Sequence, residues 1–405
     1  MAAKKFDLVV LGGGNAASLA MRMASSGWTV ALVEADLLGG TCPNRGCVPS
    51  KLLLGYAEAS TLIRRAKDFH IDAEISSLDP NAMIEETAAS TIRVVDGKIA
   101  GKLPENCTLY RGQGKFVGER QIEVNGEILE GTKVVVATGT RPVMPQAFAD
   151  LGAWTSDDVF TMETVPESIT IVGGGYIACE LAWFFASVGV KTKMLVRGDV
   201  LLRAEDQSIR PLFREGFCEE VDVSFQTKIE TASFADGQFT IDVETISEGG
   251  EVVKSTLTSE KLLFAIGRES TADAINGEAA GVALDESGFV QTDDFLRTSA
   301  EGVFALGDVA GRHLFTHSAA WEAIYLGDCW LEGKTEELDY GPMPHAVFSY
   351  PEVAGVGKTE QELVNEGISY PKGSVEYSSA AKVRAVKEKH GLCKFLLDAE
   401  SGEIL

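Results

Sequence analysis

The chain has 405 residues, 45% of them hydrophobic, and a formal net charge of −24 at pH 7, enough length and apolar content for two or three domains with their own cores. Such an acid excess repels nucleic acid and anionic membrane surfaces, so both are excluded as partners, and an anionic ligand requires a local basic patch. No run reaches the roughly 18 apolar residues of a membrane span and no secretory leader is read at the start, so the expected location is the cytoplasm.

The first element is an apolar strand from Phe6 to Leu11, followed by Gly12-x-Gly14-x-x-Ala17, a helix over 16–26 and a second strand over 29–34. The glycines permit a tight turn and close approach of a pyrophosphate, whose charge sits on the helix N-terminus. Glu34, 22 residues after Gly12, stands where a carboxylate accepts ribose hydroxyls.

Next comes Gly39-Gly-Thr-Cys42-Pro-Asn-Arg-Gly-Cys47-Val-Pro-Ser-Lys51. Five of the seven cysteines are scattered, which is no secreted disulfide framework, and in a reducing compartment the close pair Cys42/Cys47 points to chemistry. Five residues of regular helix advance about 7.5 Å, too far for disulfide Cα atoms, usually within about 6.8 Å; Pro43 and Gly46 are expected to supply the necessary bend. A helix start and Lys51 favour thiolates there, as exchange requires. A zinc site would need four ligands, and no second Cys/His pair has suitable spacing, so no metal is expected. Two structural thiols are the other reading.

A buried strand over 133–140 ends in a turn at Thr138 and Gly139. The strand–glycine–helix pattern then repeats as Gly173-x-Gly175-x-x-Ala178, and its second strand, 193–196, ends without an acid; Arg197 follows, with Arg203 six residues on. Guanidinium forks suit a 2′-phosphate that a carboxylate would repel, so NADP(H) is expected over NAD(H); ordinary surface charges are the alternative. Antiparallel strands are expected over 221–253, a closing strand over 262–268 ending near Gly267, and a further strand ending in Asp308, where ligands of open α/β sheets bind. A third, α+β region starts near Pro342.

The runs GGTCPNRGCVPSK and TSAEGVFALGD resemble those of the pyridine nucleotide-disulfide oxidoreductases, the family of glutathione reductase, mycothione reductase, dihydrolipoyl dehydrogenase and mercuric reductase, over residues 6 to 405. The resemblance implies an α/β fold with two Rossmann-like dinucleotide-binding domains and a partial α+β dimerisation domain: FAD on 1–148 and 270–336, NAD(P)H on 149–269, and a homodimer interface on 337–405. It implies FAD at Gly12, Gly14, Ala17, Glu34, Gly40, Thr41, Lys51, Thr138, Gly139 and Asp308, and NADP(H) at Gly173, Gly175, Tyr176, Ala178, Arg197, Arg203 and Gly267. Cys47 matches the flavin-side thiol and Cys42 the interchange thiol that attacks a small disulfide. Lys51 and Glu180 match an ion pair beside the flavin, with solvated charges as the alternative; Tyr176 matches a tyrosine over the nicotinamide pocket, with a plain core aromatic as the alternative.

The family's proton donor is a histidine held by a glutamate, His-x4-Glu, near the partner subunit's C-terminus. None of the five histidines is read as lying in that motif, and His317 is assigned a structural or capping role. The chain is therefore expected to be C-terminally truncated. LVRGDVLLR favours a mycothione reductase-like NADPH enzyme. Alternatives are a dihydrolipoyl dehydrogenase acting on a dithiol with NAD, a mercuric reductase, and a non-catalytic flavin-binding protein. Arg45 is a candidate contact for an anionic substrate.

Overall fold

A computed structural model describes residues 2–247 and 249–405. They form two compact units, one of 1–49, 89–141 and 268–341, the other of 50–88, 142–267 and 342–405. Residues 50–88 thus group with the second nucleotide segment rather than with the remainder of 1–148, and the C-terminal region groups with that unit too.

In the first unit the strand Lys4–Leu11 is the middle of a parallel array. Val30–Glu34 and Cys107–Arg111 lie to one side, Glu127–Val136 and Val303–Ala305 to the other. Gln121–Val124 and Lys115–Gly118 extend it antiparallel. Leu8 to Leu11 are at most 1% exposed, the continuous apolar run expected of a strand covered on both faces. The helix Ala16–Ser25 buries Ala16, Ala17, Leu19, Ala20, Met23 and Ala24, a stripe at helical spacing. It packs in one cluster with Ala323 and Leu326 of the helix Thr316–Leu331. Arg22 joins the two helices through Asp328 at 2.7 Å.

The second unit repeats the parallel plan with Asp222–Ser224, Lys191–Leu195, Ser168–Val172, Lys261–Phe264 and Trp154–Thr155. The antiparallel strands are Thr227–Ala235, Gln238–Ile246 and Val252–Ser259. Their start is later than the expected 221, because 222–224 pair into the parallel sheet. Phe239, Ile241 and Val243 alternate inward onto Leu262 and Phe264, the period-2 pattern of a half-buried strand.

The region after Pro342 contributes two hairpin-like pairs, His345–Val347 with Val353–Gly355 and Lys372–Glu376 with Leu392–Leu396. Partly buried ionic groups tie it to the rest of its unit. Lys394 Nζ contacts Asp206 at 2.8 Å and also bonds Glu360, and His345 Nε2 lies 3.0 Å from a Glu205 oxygen. The hydrogen bond to Glu205 raises the His345 pKa, outweighing its burial.

A raised folded-state pKa makes protonation of His345 stabilising below its unfolded value, near 6.5, and that increment disappears as pH rises through the folded value. In Glu205→Gln the imidazole should titrate lower by NMR, and the gain in urea midpoint as the pH is lowered through the folded value towards about 6.5 should shrink relative to wild type. An unchanged His345 titration would show that Glu205 does not hold the proton.

Candidate functional site

The two glycine loops are built alike. In the first unit Gly12 has φ +103, and a Cβ on it would lie 2.2 Å from the Ala137 carbonyl oxygen. Only glycine allows both that dihedral and that approach. Gly13 N–H donates to Glu34 Oε2 at 2.6 Å, and Gly39 N–H donates to Gly13 O at 2.7 Å. The loop therefore carries the carboxylate of the second strand beside it and the Gly39-Gly40 turn over it. Burial pushes the Glu34 carboxyl above its usual range, opposed by the Gly13 amide and by Arg111.

In the second unit Gly173 has φ +145, and a Cβ there would lie 2.2 Å from the Ala265 carbonyl oxygen. Its missing side chain also admits Ala178, fully buried in the helix Tyr176–Ser187. The place of Glu34 is taken by Val196, buried and 3.0 Å from where a Gly174 Cβ would be. Leu202 N–H donates to Gly174 O at 2.8 Å. Arg197 and Arg203, next to Val196 and Leu202, are both exposed and without an ion-pair partner among the described residues. Gly175 caps the helix, and Gly267, at φ +132, has open space where a side chain would be. Tyr176 is 42% exposed, which removes the core-aromatic reading.

The cysteine loop is two helices with a break. Thr41–Arg45 contains Cys42 and Cys47 opens the 18-residue helix Cys47–Arg64. The bend is Gly46 alone, at φ −143 and ψ −114. Pro43, expected to share it, lies in the first helical turn, where a missing N–H leaves no bond unmade. Asn44, overlooked in the sequence, is 1% exposed and donates to the carbonyls of Gly40 at 2.8 Å and Leu38 at 3.1 Å, so it clamps the glycine turn from inside. Arg45 pairs with Asp36.

At the far strand ends of the first unit, Thr140 Oγ1 donates to Asp308 at 2.9 Å and accepts from Arg268 Nε at 2.8 Å. Burial raises the Asp308 pKa against the pull of Thr140 and Arg268. The turn carrying Asp308 hangs on Glu322, fully buried, which accepts from Gly307 N–H and the Tyr340 hydroxyl. Neither Glu322 nor Tyr340 was singled out from the sequence, although His317 and Glu322 do have the His-x4-Glu spacing that was read as absent. Glu322 is occupied by the turn, and the His317 ring stacks on Phe315 at 5.1 Å, so the two do not form the proton-donating pair.

In the second unit Lys51 Nζ lies 2.9 Å from both Glu180 oxygens, and Phe348 N–H donates to Glu180 Oε1 at 3.0 Å. The Glu180 side chain is 5% exposed and that of Lys51 36%, so these are not a pair of solvated charges.

Two nucleotide loops, each at the carboxyl ends of a parallel sheet, together with a cysteine pair at a helix start, define a dinucleotide-dependent oxidoreductase of the disulfide type. Residues 6–323 match the family described as pyridine nucleotide-disulphide oxidoreductase and 343–405 match its dimerisation domain; the chain belongs to this family of FAD-dependent enzymes. It is 33% identical to mycothione reductase of Mycobacterium tuberculosis over 99% of this chain and 88% of that one. It is 31% identical to dihydrolipoyl dehydrogenase of Chlorobaculum parvum over 99% and 86%. The solved HOCl-induced flavoprotein disulfide reductase RclA of Escherichia coli superposes with a TM-score of 0.85 at 26% identity, covering 98% of this chain and 88% of its own. The expected truncation has no support in these matches. No helix among the described residues is long and apolar enough to cross a membrane.

The first unit fits FAD. Thr138 Oγ1 and Asn44 Oδ1 are buried without a hydrogen-bond partner among the described residues. A Cβ on Gly40 would lie 2.9 Å from Gly14 Cα, so glycine at 40 lets its turn close onto the loop that would meet a pyrophosphate.

Removing the ammonium in Lys51→Met leaves the Glu180 carboxylate buried with one fewer charged partner, at an expected cost of about 1–3 kcal/mol in chemical denaturation. Lys51→Arg should recover most of it, and wild-type stability in Lys51→Met would mean that the pair is not stabilising.

Proposed function

We propose that this enzyme reduces a small disulfide with NADPH through Cys42 and Cys47, acting as a homodimer through residues 337–405. The observation that carries the nicotinamide choice is the pair of exposed arginines, Arg197 and Arg203, without ion-pair partners among the described residues, flanking a loop whose counterpart in the other unit carries Glu34. With Val196 in place of a carboxylate at the strand end, and Asp199 the one acid in the loop between Arg197 and Arg203, two guanidinium forks can grip a 2′-phosphate. Gly173, Gly175, Ala178 and Gly267 leave room for the pyrophosphate, and exposed Tyr176 covers the nicotinamide.

FAD, held on 1–148 and 270–336 by Gly12, Gly14, Ala17, Glu34, Gly40, Thr41, Lys51, Thr138, Gly139 and Asp308, supplies the two-electron connection between nicotinamide and cysteines when bound. The chain's own chemistry is thiol exchange. Cys42 thiolate attacks one sulfur of the substrate disulfide, forming a mixed disulfide and expelling one thiolate. Cys47 then attacks Cys42 sulfur, expels the second thiolate and closes the Cys42–Cys47 disulfide. Cys47 opens a long helix, whose positive end favours the thiolate. Lys51, four residues on, is held in place by Glu180.

Dihydrolipoyl dehydrogenase activity with NAD is the second reading, favoured by the Chlorobaculum parvum relative. The two separate on cofactor. Arg197→Ala with Arg203→Ala should raise KM for NADPH by about tenfold or more while leaving NADH nearly unchanged, as expected for lost charged hydrogen bonds of about 1.5–3 kcal/mol. A higher kcat/KM with NADH in the wild type would favour the second reading.

Anaerobic NADPH should expose Cys42 and Cys47 to alkylation, read by mass spectrometry, and Cys42→Ser or Cys47→Ser should abolish disulfide reduction. Unchanged labelling after NADPH would instead favour a non-catalytic flavin-binding protein.

A further inference from the structure

A cleft of about 990 Å³ opens in the first unit and is lined by Lys5, Arg120, Lys133 and Arg297. It lies toward the amino ends of the parallel strands. Lys5 is at the start of the strand whose end precedes Gly12, roughly 20 Å away along an extended chain, so the cleft is separate from the nucleotide loop of its own unit.

Three of these cations are held by neutral groups. Lys133 Nζ sits 5.6 Å from the Phe304 ring centroid and 5.4 Å from that of Trp330. The Arg297 guanidinium lies 4.6 Å from the Phe295 ring. Arg120 Nη1 donates to the Glu301 carbonyl at 3.3 Å. An aromatic face or a carbonyl positions a cation without cancelling its charge. Among the described residues, Lys5 is the one of the four with an ion-pair contact, to Glu130 at 3.9 Å; Glu119 and Glu301 also line the cleft and limit its excess charge.

The backbone is shaped to this arrangement. Arg120 has φ +50, a conformation disfavoured for a residue with a side chain, and Gly302 opposite has φ +74. A Cβ on Gly302 would lie 2.9 Å from Arg120 Cδ. The glycine thus provides the space through which the arginine reaches the cleft. On a chain of net charge −24, four cations gathered in one cleft against the three carboxylates Glu119, Glu130 and Glu301 form a local excess of positive charge, which an anion requires.

We infer that this cleft binds a compact multivalent oxyanion, a small molecule bearing phosphate or carboxylate groups, at a site distinct from the FAD and NADP(H) loops. Guanidinium forks match both oxyanion geometries.

The test is isothermal titration calorimetry of the holoenzyme, saturated with NADP⁺, against inorganic pyrophosphate and separately against citrate at low ionic strength. Saturable binding of at least one is expected, weakened about tenfold or more in Lys133→Gln and in Arg120→Gln, with NADPH-dependent reduction unchanged in both. Pyrophosphate binding alone assigns the site to phosphate compounds and citrate binding alone to carboxylates. Arg297→Gln carries the same expectation if Arg120→Gln does not fold. No saturable binding of either anion, or affinities unaltered by the substitutions, overturns the inference.

Discussion

The approach of a glycine to the backbone carbonyl at the end of a neighbouring strand occurs twice in this protein, Gly12 against Ala137 and Gly173 against Ala265, each with 2.2 Å between the carbonyl oxygen and the position a Cβ would take. The first helical turn and the second strand end are both placed by this contact. The loop that follows is fastened to its own second strand or to the turn beyond it, through Glu34 and Gly39 in one unit and through Val196 and Leu202 in the other. A side chain at either glycine would displace the backbone of the loop.

On that shared frame the two units diverge in charge. Glu34 is buried, bonded to the loop it faces, and suited to accept neutral hydroxyls. Val196 offers nothing polar, and the chain beyond it presents two exposed guanidinium groups. The loops share the glycine approach to a strand-end carbonyl, and this difference at one strand end is the physical basis of the proposed difference in dinucleotide. Net acidity of the whole chain sharpens the contrast, since a phosphate is held only where positive charge is concentrated.

Polar groups inside the first unit serve to hold turns. Asn44 spans the carbonyls of Leu38 and Gly40, and Glu322 receives the Gly307 amide and the Tyr340 hydroxyl. Both are almost wholly buried, where a lost hydrogen bond is costly. The Gly39-Gly40 turn leading to the cysteines and the turn bearing Asp308 therefore keep their positions without help from the exposed surface. The acidic Glu322 also shows why residue spacing alone misleads: five positions from His317 on a helix, it faces the core while the histidine stacks on Phe315.

Sequence alone was enough for the two glycine loops, the strands before them, the acid at Glu34 and its absence at Val196, and the cysteine motif. Each of these rests on local rules: glycine's dihedral freedom, apolar runs, and fixed spacing along one strand–turn–helix. It misassigned the bend to Pro43 as well as Gly46, began the antiparallel strands too early, and overlooked Asn44, Glu322 and Tyr340. These depend on which segments pair and which side chains are buried, and the partners lie far apart in the chain. Lys51 and Glu180, separated by 129 positions, were nominated by family resemblance, but only tertiary packing decided that they meet as a half-buried pair, because the burial that makes Glu180 need a cation exists only once the core has formed.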